Sequence, residues 1–73
     1  MQEEKMYGKI KWYKQNKGYG YINGADDETY FFERINCIDM NTDYKEGEEV
    51  LFIPNFGDMD FATKVEKIND NVK

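Results

Sequence analysis

Short stretches of alternating apolar and polar residues run through the chain, interrupted every few residues by Gly, Asn and Asp. Period-two alternation rich in β-branched and aromatic side chains marks half-buried strands, and closely spaced turn residues mark a barrel or sandwich. The pattern predicts strands at about Tyr7–Tyr13, Tyr19–Asn23, Thr29–Arg34, Glu49–Ile53 and Phe61–Ile68. Between them lie Gln15-Asn16-Lys17-Gly18, Gly24-Ala25-Asp26-Asp27, Lys45-Glu46-Gly47-Glu48 and Pro54-Asn55-Phe56-Gly57-Asp58, each with turn chemistry. No helix-period segment competes, so the expected fold class is all-β, a five-stranded antiparallel barrel. The longest connection, Asn36 to Tyr44, has room for a 3₁₀ turn.

Strand alternation also sorts side chains by face. In the second strand Tyr19 and Tyr21 point one way, Gly20 and Ile22 the other. The short turn after it makes a hairpin with the third strand. If Ile22 faces the core with Tyr30 and Phe32, then Tyr19, Tyr21 and Phe31 share the outside. Alternation or resemblance adds Ile10, Val50, Phe52 and Val65 to the expected core. Three adjacent exposed rings on so small a protein form a patch with a use. Gly18 and Gly20 flank Tyr19, where a missing side chain admits close approach of a backbone or a flat ligand.

At 73 residues and 8.7 kDa the chain has room for a single domain spanning 1–73, with a core of about 7–68 and loose ends at Met1–Lys5 and Asn69–Lys73. Val, Ile and Leu number only 10, so 12 aromatic residues must supply much of the interior. The longest hydrophobic run, Val50–Ile53, is far short of the ~18 residues of a membrane span, and Met1–Lys5 lacks a signal peptide's apolar stretch. A cytoplasmic monomer with no membrane partner is expected. The single cysteine, Cys37, is expected to be a buried or half-buried thiol without catalytic duty. With no histidine and one cysteine, most nucleophile, general-base and transition-metal chemistry is missing, so neither an enzyme nor a metal or cofactor is expected. The carboxylates at Asp26-Asp27-Glu28 and at Asp58 and Asp60 read as solvated loop charge.

The net charge of −5 argues against a nucleic-acid partner until its distribution is considered. Residues 1–24 carry five lysines against Glu3 and Glu4, or +3, whereas 25–49 carry nine acids against Arg34 and Lys45, or −7. The basic segment is the one that holds Tyr19 and Tyr21. Rings on a sheet face with Lys9, Lys11, Lys14 and Lys17 around them suit single-stranded nucleic acid: bases stack on the rings and lysines meet phosphates.

Gly8-Lys9-Ile10-Lys11-Trp12-Tyr13, Lys17-Gly18-Tyr19-Gly20-Tyr21-Ile22 and Thr29-Tyr30-Phe31-Phe32 together resemble the cold-shock domain family over about residues 7–68. Lys17 to Ile22 looks like the family's first ribonucleoprotein motif, with tyrosine where phenylalanine is usual, and Phe31 matches the central aromatic of the second. The resemblance implies an OB-fold barrel that binds single-stranded RNA or DNA with low sequence specificity, acting as an RNA chaperone or a regulator of gene expression. It implies a site of Lys11, Trp12, Lys17, Tyr19, Tyr21, Phe31, Glu33 and Arg34. Two of these depart from the family: Glu33 and Arg34 stand where a histidine and usually an aromatic follow the second motif. A carboxylate can still accept from a base's exocyclic amine, and a guanidinium can replace a stacking ring. The family's further aromatic, in the loop between strands three and four, has Met40 as its nearest counterpart. Strict alternation puts Trp12 on the side of Ile10, so only a bend in the first strand, which the resemblance implies, brings it to the outer face.

Two other functions fit parts of the sequence. An acidic SH3-like barrel could hold a proline-rich or basic peptide in an aromatic groove, favoured by the acidic middle section and Glu33. Alternatively, the platform persists as fold alone, without binding.

Overall fold

The computed structural model describes residues 4–68. Five strands, β1 (Met6–Lys14), β2 (Tyr19–Gly24), β3 (Thr29–Glu33), β4 (Glu49–Asn55) and β5 (Phe61–Lys67), close into a barrel in the order β1-β2-β3-β5-β4. The all-β, five-stranded barrel with OB-fold-like topology is as the sequence predicts. Its pairings are antiparallel except for the one that closes it, where β3 and β5 run parallel with Phe31 beside Phe61. Of the ends expected to be loose, 1–3 and 69–73 lie outside the described residues, while Lys5 pairs with Glu66 at 3.5 Å. The 3₁₀ turn forms at Arg34–Asn36, earlier than expected: the Asn36 side-chain oxygen accepts from the Glu33 N–H and ends β3 there.

The barrel interior holds all seven expected residues, Ile10, Ile22, Tyr30, Phe32, Val50, Phe52 and Val65. Cys37, Tyr44 and Ala62 join them, and Tyr13 packs against the cluster, its ring stacked on Phe32 at 5.4 Å. Burial pushes the Cys37 thiol up, which disfavours the reactive thiolate, and its sulfur faces the Glu33 carbonyl at 3.6 Å. Tyr30 combines a buried ring with a hydroxyl that donates to Asp26 Oδ2 at 2.6 Å. Asp26, in the β2–β3 turn, thus anchors the core as well as accepting from the Glu28 N–H. Among the described residues no helix is long and apolar enough to cross a membrane.

Two irregularities break the alternation, and both matter for placement. On β5, Lys64 takes a positive φ of 51°, and the β4–β5 register slips between Leu51 and Ile53. The extra residue lets Ala62 and Val65, three apart, both point inward. On β1, Ile10 pairs with Ile22 but Trp12 pairs with Tyr21, so Lys11 is the extra residue of a bulge.

Candidate nucleic-acid interface

The bulge at Lys11 decides which side Trp12 occupies. Before it, Gly8 and Ile10 point inward; after it the parity is reversed, so Tyr13 turns toward the core and Trp12 joins Tyr21 outside. Gly20, across from Tyr13, makes room for this. A Cβ there would collide with the Trp12 carbonyl oxygen and lie 2.8 Å from Tyr13 Cα. Of the two uses open to a glycine beside Tyr19, Gly20 serves approach of the protein's own backbone.

Trp12, Tyr19, Tyr21 and Phe31 form one half-buried aromatic strip across three strands. The Trp12 ring lies 5.1 Å from Tyr21 and 5.9 Å from Tyr19, with interplanar angles of 65° and 70°. Phe31 closes the group, 5.5 Å from Tyr21 and 6.0 Å from Tyr19. Edge-to-face contacts within 4.5–7 Å are favourable and hold rings at fixed inclinations, so the strip is preorganised. Phe61, 37% exposed and in register with Phe31, extends it onto β5. The sequence reading did not include Phe61, because its place follows from the long-range β3–β5 pairing.

Charge surrounds the strip unevenly. Lys11 and Lys17 are exposed, and Lys14 Nζ sits 5.4 Å from the Trp12 ring centroid. Glu33 is exposed and pairs with Tyr19, which puts its carboxylate at the end of the strip. Arg34 lies beyond it. Its backbone N–H donates to the Gly18 carbonyl, and its guanidinium packs over Gly18 and donates to the Gln15 carbonyl. Gly18, at φ 75°, turns the chain there. Arg34 therefore clamps the β1–β2 turn at the rim of the strip, and its plane lies against the turn. Met40 is exposed in the β3–β4 connection. No group of three or more acidic or cysteine side chains suited to a metal ion occurs among the described residues.

Residues 6–68 match the 'Cold-shock' DNA-binding domain family. The chain belongs to the cold-shock domain family. It is 41% identical over 51 residues to the cold shock-like protein CspB of Yersinia pestis, covering 66% of this chain and 71% of that protein. It is 36% identical over 56 residues to the cold shock protein CspV of Vibrio cholerae serotype O1, covering 73% and 79%. Among solved structures, drosophila Unr CSD456 superposes with a TM-score of 0.77 at 19% identity, over 97% of this chain and 30% of that one, a likeness of fold. Members of the cold-shock family are typically nucleic-acid-binding domains without enzymatic activity.

Proposed function

We propose that the outer face of β1, β2 and β3 binds single-stranded RNA or DNA with little sequence preference. The observation that carries this is the aromatic strip: Trp12, Tyr19, Tyr21 and Phe31, from three strands, with neighbouring centroids 5.1–6.0 Å apart. Each ring offers a partly open face, and base stacking is worth ~1–3 kcal/mol per base whatever the base. Lys11 on β1 and Lys17 in the β1–β2 turn meet phosphates, while Arg34 adds positive charge at the rim. Glu33 opposes phosphate and can accept from an exocyclic amine.

Such binding needs no catalysis to act on RNA. A protein that binds open strands and not hairpins pulls the equilibrium toward open strands by mass action, as any selective ligand does. The role proposed is thus an RNA chaperone or regulator of gene expression, working as a cytoplasmic monomer. Titration with oligo-dT and oligo-U, followed by Trp12 fluorescence, tests it: saturable quenching is expected with both, and no change with either would leave the strip as fold alone.

A further inference from the structure

The outer face of β1 does not end at Trp12. Toward the start of the strand it presents Lys9, then Tyr7, a residue 62% exposed. Lys9 pairs with Asn23 of β2 on one side and with Glu49 of β4 on the other. These side chains, with Ala25 and Ile68, line an open groove of about 390 Å³. That lies within the ~300–1,000 Å³ of small-ligand pockets. Gly8 and Gly24 also line it, so part of its wall is bare backbone. The Ala25 N–H donates to the Tyr7 carbonyl at 2.9 Å and fixes the turn against the strand.

The groove adjoins the aromatic strip: Asn23 is the next outward residue of β2 after Tyr21, about 7 Å further along the sheet. Its chemistry is that of a base site. Tyr7 supplies a π-face, Lys9 a cation at the strip side, Asn23 an amide, and Glu49 a carboxylate that accepts only from a donor. Thymine and uracil carry no exocyclic amine, whereas cytosine and adenine do, and Asn and Glu are the side chains that read such edges.

We propose that this groove holds one further base of the bound strand, beyond the strip, stacked on Tyr7 and preferring a base with an exocyclic amine. The inference rests on the nucleic-acid reading above, with continuity of the sheet face as its reason. A single exposed tyrosine means little by itself; what distinguishes Tyr7 is its position, in a groove lined by a lysine, an amide and a carboxylate and on the same outer sheet face as the aromatic strip.

The test compares oligo-dT of about four nucleotides, near the lower end of OB-fold site sizes, with the same oligomer flanked at both ends by deoxycytidines or by abasic residues. Abasic flanks add the phosphates without the bases. In the wild type the deoxycytidine-flanked strand should bind more tightly than the abasic-flanked one. That ratio should fall about fivefold or more in Tyr7→Leu, which keeps apolar bulk, and stay near wild type in Tyr7→Phe, which keeps the ring. Glu49→Gln should reduce the preference for deoxycytidine over thymidine flanks. Affinity for the short oligo-dT should not change in the Tyr7 variants, whose folding is checked by thermal melts. If wild type and Tyr7→Leu show the same ratio while Tyr21→Ala loses affinity for the short strand, the groove is not a base site and the strip stands. If the wild type binds none of the strands, the nucleic-acid reading fails and this inference with it.

Discussion

At the scale of single residues, two carboxylates have opposite roles. Asp26 accepts from the buried Tyr30 hydroxyl, and that bond, opposed by desolvation and aided by the Glu28 N–H, holds its carboxyl below the usual 3.8. A depressed native pKa contributes stability that is complete above the ordinary carboxylate range and is lost as pH falls through the native value. Asp26→Asn should therefore be less stable than wild type at neutral pH, and the gap should close as pH falls below the ordinary carboxylate range and through the depressed native value. Denaturant melts at several pH values would show this, and a gap independent of pH would assign the loss to turn geometry instead. Glu33, by contrast, works against the proposed ligand. At ~5–6 Å from a phosphate in water its repulsion is only ~0.7–0.8 kcal/mol, less than one stacked base provides. Binding should survive it, and Glu33→Gln should tighten oligo-dT binding about threefold. An unchanged Kd in fluorescence titration would place Glu33 outside the strand's path.

Strands turn residue identity into a surface. Tyr21 and Phe31 face outward in register while Tyr30 and Phe32, the chain neighbours of Phe31, are fully buried. Truncation should separate the two sets. Tyr21→Ala and Phe31→Ala should weaken single-strand binding by ~1–3 kcal/mol with little change in stability. Phe32→Ala should cost ~3–5 kcal/mol of stability, a large share of what a small domain has, and leave little folded protein to titrate. The β1 bulge belongs to this scale too. Gly20→Ala would drive a methyl group into the Trp12 carbonyl. It should destabilise the barrel by at least the ~1–3 kcal/mol of overpacking and displace Trp12 from the strip. A wild-type melting temperature and emission spectrum in that variant would show that β1 can bulge without the glycine.

Across the whole molecule, a net charge of −5 coexists with a lysine-bearing face because opposite charges are segregated along the chain. Few cations face the strip, so few counterions are released on binding. The log–log salt dependence of affinity should be no steeper than about −2 to −3, given ~0.7 per phosphate neutralised on single strands. A steeper slope, measured by titration over a range of salt, would mean that lysines beyond Lys11, Lys14 and Lys17 take part. The same globule shields its thiol: Cys37 is 7% exposed, so labelling in the native state should be slow and follow opening of the barrel.

Period-two patterning determined the strands and the hairpin register that sets Tyr19, Tyr21 and Phe31 apart from Ile22, Tyr30 and Phe32, and alternation or family resemblance turned Ile10, Val50, Phe52 and Val65 inward with them. These follow from local geometry, since alternating side chains must go to opposite faces wherever a strand forms. Motif spacing added the family. Only the tertiary structure decided the features that depend on where alternation fails or on which distant strands meet. The bulges at Lys11 and Lys64 each shift the parity of the residues that follow, and parity cannot be read through an extra residue whose position the sequence leaves unmarked. Tyr44 lies in an irregular connection with no period to assign its face, yet it caps the core with edge-to-face contacts to Tyr13 and Phe32. Phe61 reaches the strip through the parallel closure of β3 on β5, and the groove at Tyr7 exists because β4 and the β2–β3 turn meet on either side of β1. Such placements are set by long-range pairing, which depends on the whole barrel closing and not on any one segment.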